Sequence, residues 1–319
     1  MKADHPSGSG SELIRGVLFF PVTPFDAAGE FNEEVFKQHV ELGLKHRPAA
    51  VFAACGAGEL HALSLREHAA IALASVRAVA GRLPVYLGAG GPLPTAVSMC
   101  EAAAKAGANG VLLLPPYLVS APQAGLVAYL TQVAESSPIP VIAYARGNAR
   151  LTVASAVELS RNDNIIGLKD GIGDMELMLR IKVAIRKQRS SFIFLNGMPT
   201  AELSAPAFRG LDIPTYSSGV FCFAPEIAGA FWRALEQGDD RLRDRLLETF
   251  YVPFAGLRDE APGFAVSLLK AGVTARGLPV GAVRAPLVDP NPDQIRRLMA
   301  LVDEGLAIVQ PVSLAAGLA

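Results

Sequence analysis

The chain is poor in three things, and each shortage excludes a class of protein. Its 319 residues include three cysteines, Cys55, Cys100 and Cys222. The number is odd and no pair stands in CxxC spacing, so neither a disulfide framework nor a zinc site is indicated. A reducing, cytoplasmic setting is the expectation. Neither sign of charge is in excess, because 29 Lys and Arg stand against 30 Asp and Glu. That balance leaves no electrostatic footprint for nucleic acid and no basic patch for an anionic membrane, so neither is expected as a partner. No apolar run reaches the roughly 18 residues a membrane helix needs. The opening MKADHPSGSGSE has no apolar core of a secretory signal, and residues 1–12 are expected to form a disordered polar tail.

What is present is apolar and rhythmic. Hydrophobic residues make up 51% and charged residues 18%, which excludes general disorder and leaves ample material for a core. Short apolar runs recur at 16–25, 49–56, 84–90, 110–116, 140–146, 165–171, 192–197 and 213–220. Several are apolar throughout instead of alternating, as suits parallel strands covered on both faces. Helix-patterned segments follow each run, at 33–46, 65–80, 94–106, 122–136, 152–162, 174–188, 200–209 and 225–237. Asn32 is placed to cap the first helix, and Ser64 with Glu67 forms a capping box at the second. Eight βα units in series predict a (β/α)8 TIM barrel over residues 13–238. A doubly wound open sheet is the alternative, but the first run ends in TPFDAAGE, without the GxGxxG turn such a sheet would show. Residues 239–319 are read as a C-terminal helical appendage, with helices at 239–257, 262–275 and 291–309 and an extended connection at 277–290.

Barrel enzymes carry their reacting groups at the C-terminal ends of the strands. The sixth run reads IIGLKDG and sets Lys169 inside an apolar strand. Removing water from an ammonium favours its neutral form, and a neutral amine attacks ketones. The alternatives are that Lys169 pairs with Asp170 or snorkels outward. The fifth run, PVIAYAR, brings Tyr144 beside it, either as a proton relay or as an aromatic that fills the barrel. Arg146 lies two residues on, either as a carboxylate clamp or as a surface residue. After the second run, Gly56, Ala57 and Gly58 let backbone N–H groups converge into an anion nest, and Glu59 either relays protons or braces the loop. His61 and His68 follow without a third ligand, so no metal is expected. Ser217, Ser218 and Gly219 end the eighth run and Asn196 the seventh. The hydroxyls either meet a polyhydroxy acid or cap the following turn, and Asn196 is expected to face the same mouth and meet the hydroxylated half of a substrate.

The ordered set TPF, GxGE, PPY, a strand-five tyrosine and GLKD resembles the class I pyruvate-aldolase superfamily, typified by dihydrodipicolinate synthase and N-acetylneuraminate lyase. The match runs from about residue 16 to 309. The resemblance implies that Lys169 forms a Schiff base, that Tyr144 is its partner, and that Gly56, Ala57 and Gly58 hold the α-keto carboxylate. Departures from the synthase pattern are Gly56-Ala57, where synthases carry two threonines, and Leu118, where they carry a second aromatic. The synthase's hydroxyl relay is therefore missing. GAGELHALS, YARGNARL, GLKDGIGDME and PTYSSGVFCFAPE resemble more closely the superfamily's 5-dehydro-4-deoxyglucarate dehydratase group. Ala57 replaces that group's usual threonine, and Gly147 an acid. The implied substrate is an α-keto sugar diacid, the implied reaction dehydration with decarboxylation, and no cofactor is expected because the iminium serves as the electron sink. A homo-oligomer, dimer or tetramer, is implied as well. The competing readings are a 2-keto-3-deoxy sugar-acid aldolase or dihydrodipicolinate synthase-like pyruvate lyase, and a non-catalytic sugar-acid-binding barrel.

Overall fold

The computed structural model describes residues 14–116 and 119–309; the expected polar tail and Leu118 lie outside the described residues. Eight strands form, β1 (Val17–Phe19), β2 (Ala50–Ala53), β3 (Val85–Ala89), β4 (Gly110–Leu113), β5 (Val141–Ala145), β6 (Ile165–Asp170), β7 (Ile193–Asn196) and β8 (Tyr216–Ser218). They pair in parallel and in chain order, and β8 returns to β1 to close the barrel. Prolines trim the longer runs, because proline cannot donate to a ladder. Thus β1 stops before Pro21, β4 before Pro115, and β8 starts after Pro214.

The strands are buried on both faces because helices cover the outside. These are α1 (Glu33–Leu44), α2 (Leu65–Val79), α3 (Leu93–Ala106), α4 (Gln123–Ser136), α5 (Val153–Leu159), α6 (Met175–Arg186), α7 (Ala205–Gly210) and α8 (Pro225–Gln237). The Asn32 side chain accepts from Val35 N at the start of α1. The Ser64 box closes in both directions, with Glu67 N donating to Ser64 Oγ (3.2 Å) and Ser64 N to Glu67 Oε2 (2.9 Å). The expected helix at 200–209 is split. A 3-10 turn at Ala201–Leu203 comes first, and α7 begins afresh beside Pro206, whose ring would clash with a continuous helix.

Beyond α8 the chain forms α9 (Asp240–Leu246), a π-helical turn (Leu247–Tyr251), α10 (Val252–Arg258), α11 (Phe264–Ala275) and α12 (Pro292–Val309). The π turn precedes Pro253, where an α-helical hydrogen bond cannot be made. Gly305 lets α12 lie close on α8 and the π turn; a Cβ there would stand 2.5 Å from Ile227 Cδ1 and 3.1 Å from Phe250 Cδ2. The connection between α11 and α12 has no regular structure, yet it is tied to the barrel. Phe25 N donates to Val280 O (3.0 Å), and the Arg284 guanidinium donates to Ala62 O (2.8 Å) and pairs with Glu67. The same guanidinium lies 3.8 Å from the Phe25 ring centre. The C-terminal region therefore reaches back to the loops that follow β1 and β2.

Candidate active site

Register decides which side chains enter the barrel. Tyr144 pairs with Lys169 and Lys169 with Leu195, whereas Ala145 pairs with Asp170 and Asp170 with Asn196. Paired residues share a face and adjacent ones do not. Lys169 and Tyr144 thus point together into the bore. The Lys169 amine sits 3.9 Å from the Tyr144 ring centre and 5.1 Å from that of Phe20, and the residue is 4% exposed. Phe20 in turn stacks on Phe52, and Phe52 on Tyr86, at 4.8 and 4.7 Å between centroids. Asp170 is turned away and accepts from Ile172 N (3.0 Å) and Gly173 N (3.2 Å), so it is not the lysine's partner.

Two glycines that the sequence reading passed over make room for this pair. A Cβ on Gly171 would stand 2.9 Å from Tyr144 Cε2, and one on Gly197 would stand 2.7 Å from Lys169 Cγ and 3.0 Å from Asp170 O. The Cγ of lysine cannot swing aside without moving the whole chain. Gly197→Ala is therefore expected to displace the amine and cut turnover by about the 10²-fold that a 1 Å misplacement costs, with the protein still folded. Steady-state rates together with circular dichroism check this. The Gly197 carbonyl also accepts the Tyr144 hydroxyl (2.8 Å), and Arg146 Nη1 donates to that hydroxyl at 3.3 Å. Burial alone pushes the Tyr144 phenol up, but the positive charges of Lys169 and Arg146 outweigh it and hold the phenol below its ordinary value. A phenol so placed gives up and regains a proton readily beside the amine.

The pair opens into a cavity of ≈ 480 Å³. Its walls include Gly56 and Ala57, Arg146, Gly197 to Thr200, Ser217 to Gly219, and, from the C-terminal region, Ala265, Val266, Leu269 and Leu287. A wider surface groove of ≈ 620 Å³ beside α5 and α6 has neither Lys169 nor Tyr144 in its walls. The backbone N–H groups of Gly56 and Ala57, on the cavity wall, donate to no protein acceptor among the described residues. Gly58 is not on the cavity wall: it packs on the Ala54 backbone, and its carbonyl accepts Thr23 Oγ1 at 2.7 Å. Glu59 braces the loop. It is fully buried, with Lys270 Nζ at 3.0 Å from Oε1 and Arg284 N at 2.8 Å from Oε2. His61 stands on the cavity wall, while His68 is buried with Nε2 2.7 Å from Gly88 O.

The strand ends of β7 and β8 divide by the same parity. Ser217 pairs with Leu18 and faces the cavity. Ser218 pairs with Phe19, contributes to the wall, and commits its hydroxyl to Glu202 Oε1 and to Phe221 N. The Asn196 side chain does not reach the cavity. Its amide donates to Ala201 O (3.2 Å) and Ser204 Oγ (3.0 Å), and its oxygen accepts from Met198 N (3.1 Å). Asn196 and the Ser218 hydroxyl were expected to face the substrate, and the outer face of the strands claims both instead. Glu202 went unnoticed in the sequence. Burial pushes its carboxyl up to about 7, against the hydrogen bond from Ser218.

A buried lysine and tyrosine that share a cavity with Gly56 and Ala57, in a closed barrel, are parts from which an imine-forming enzyme can be made. Among curated proteins, the chain is similar to a "Probable 5-dehydro-4-deoxyglucarate dehydratase 1" of Streptomyces coelicolor, 49% identical over 92% of this chain and 94% of that protein. It is also similar to a "Probable 5-dehydro-4-deoxyglucarate dehydratase" of Paracidovorax citrulli, 42% identical over 91% of this chain and 95% of the relative. Among solved structures, the dihydrodipicolinate synthase of Oceanobacillus iheyensis superimposes with a TM-score of 0.85 at 26% identity, covering 93% of this chain and 98% of that one. Residues 13–304 match the profile of the Dihydrodipicolinate synthetase family. With that match added to the barrel and its lysine, the chain belongs to the Dihydrodipicolinate synthetase family.

Proposed function

We propose that this chain is a Schiff-base lyase that dehydrates and decarboxylates 5-dehydro-4-deoxy-D-glucarate to 2,5-dioxopentanoate, CO2 and water. The observation that carries the reading is the Lys169 amine 3.9 Å from the Tyr144 ring centre in a cavity that Gly56 and Ala57 also line. The names of the curated relatives supply the substrate.

The chemistry follows from the site. The nest at Gly56 and Ala57 receives the α-keto carboxylate and sets the ketone against Lys169. The amine adds to the ketone carbon, water leaves, and an iminium forms. Tyr144 supplies and recovers protons in that step. The iminium acidifies the neighbouring methylene, which loses a proton, and the β-hydroxyl departs as water to leave a conjugated iminium. The bond to the distal carboxylate then breaks. CO2 leaves, and its electron pair runs through the conjugated chain into the iminium nitrogen. The enol carbon takes up a proton as its O–H gives one up, which leaves an aldehyde, and the remaining enamine carbon takes up a second proton, which restores the iminium. Water added at the imine carbon frees Lys169. Ser217 offers a hydroxyl to the substrate's own hydroxyls. Arg146, exposed at the wall, orients the distal carboxylate through a solvent-screened attraction that does not lock a group which must leave.

In this reading the enzyme works in the cytoplasm as a homodimer or homotetramer. Among the described residues no helix is long and apolar enough to cross a membrane. Leu179 and Val183, a turn apart on α6, are exposed apolar side chains that a second subunit would cover. Incubation with 5-dehydro-4-deoxyglucarate is expected to release CO2 and the semialdehyde in equal amounts. Release of pyruvate, detected with lactate dehydrogenase, would make the chain an aldolase instead. Binding without turnover would make it a sugar-acid-binding barrel.

A further inference from the structure

We infer that Lys270 on α11 is a positioning residue that shapes the carboxylate nest through Glu59 without touching substrate. The inference rests on the reading of the nest given above. The turn that carries Gly56 and Ala57 is bracketed by two residues other than glycine in left-handed conformation, Ala54 at φ 50° and Glu59 at φ 56°. Side chains rarely adopt that conformation, so something must hold the turn there. Two backbone bonds close it, Glu59 N to Gly56 O and Leu60 N to Cys55 O, both 3.1 Å. Thr23 Oγ1 holds the Gly58 carbonyl at 2.7 Å, and the hold on Glu59 comes from the far end of the chain. Each carboxylate oxygen of Glu59 is taken by the C-terminal region, one by the Lys270 ammonium and the other by the backbone N–H of Arg284.

The pair is costly to build. Lys270 and Glu59 have side chains 1% and 0% exposed, and two buried charges repay their desolvation only when well placed. Lys270 is well placed: it also donates to Ala282 O (2.6 Å) and lies 4.3 Å from the Phe25 ring centre. Burial pushes its ammonium down, and the Glu59 carboxylate pulls against that. Neither residue lines the cavity, so the pair takes no part in the chemistry. Its neighbours Val266 and Leu269 do line it, as does Leu287 from the connection. Helix α11 and the connection after it thus line part of the cavity and also hold Glu59 of the nest turn, through an ion pair spanning 211 residues of sequence and the Arg284 N–H.

The test reads nest affinity apart from imine chemistry. Borohydride trapping of Lys169 is followed over a range of pyruvate concentrations, with the modified peptide identified by mass spectrometry. Lys270→Met and Glu59→Gln are expected to raise the half-saturating pyruvate concentration about five- to tenfold, with the saturated trapping rate held within about threefold. Each single change leaves one buried partner unmatched, so the double variant Glu59→Gln/Lys270→Met, which orphans neither charge, secures a folded protein; it is expected to show the same rise. Phe250→Leu, at the buried π turn, lowers stability without moving half-saturation. If the three nest variants lower only the melting temperature and keep half-saturation within about twofold of the parent, the positioning role is wrong. If the parent itself shows no saturable adduct, the reading of the site fails, and this inference falls with it.

Discussion

Lys169→Met is expected to abolish turnover, with a loss on the order of 10⁵-fold or more, because the variant has no amine to form the iminium and nothing else in the cavity replaces it. Methionine matches the lysine stem in length and suits the apolar surroundings of Phe20 and Tyr144. The melting temperature is therefore expected to hold or rise, because a buried polar group has been removed. Lys169→Arg is expected to be equally inactive, since a guanidinium stays charged and forms no imine. Steady-state assays with differential scanning fluorimetry check both. A methionine variant that kept more than about one hundredth of parental turnover would remove the covalent mechanism from consideration.

The second large effect belongs to Tyr144. Tyr144→Phe keeps the ring under the Lys169 amine and removes only the hydroxyl that donates to Gly197 O. Turnover is expected to fall by about 10²–10⁴-fold, the span typical of general acid–base groups, while borohydride still traps the lysine more slowly. The phenol's ionisation gives a second readout. Burial raises it, and the charges on Lys169 and Arg146 lower it further than burial raises it. Arg146→Gln removes one of the two cations, so the phenol moves upward. The limb of the pH–rate profile that reports Tyr144 is then expected to shift to higher pH, and Tyr144→Phe is expected to erase that limb. Parental turnover in Tyr144→Phe, or a limb that stays put in Arg146→Gln, would assign the proton transfers to another group.

The barrel was legible because its signals are local. Apolar runs bounded by proline and glycine marked all eight strands, and the Ser64–Glu67 box marked a helix start with both hydrogen bonds. The split at Pro206 and the π turn before Pro253 were less visible, since the helical pattern runs through both. At the site, the Lys169–Tyr144 pairing followed from neighbouring strands. The facing of Asn196 and Ser218 did not, because a strand that is apolar on both faces carries no alternation to fix parity. Ser217 and Ser218 look alike in sequence, and one residue of register sends one to the cavity and the other to Glu202. Gly197 and Gly171 gave no signal, because the need for a missing Cβ arises only once the Lys169 and Tyr144 side chains are laid across them. The bond between Lys270 and Glu59 was beyond any local pattern, and it turns what reads as an appendage into a cavity wall.

Turnover depends on a covalent bond between Lys169 and the substrate's ketone carbon. Peptide mapping by mass spectrometry, after borohydride reduction of the enzyme turning over 5-dehydro-4-deoxyglucarate, tests that bond most directly. The predicted result is a reduced adduct confined to the peptide that carries Lys169, accumulating in step with loss of activity. Loss of activity with Lys169 unmodified, or an adduct on Lys270 or another lysine in its place, would contradict it.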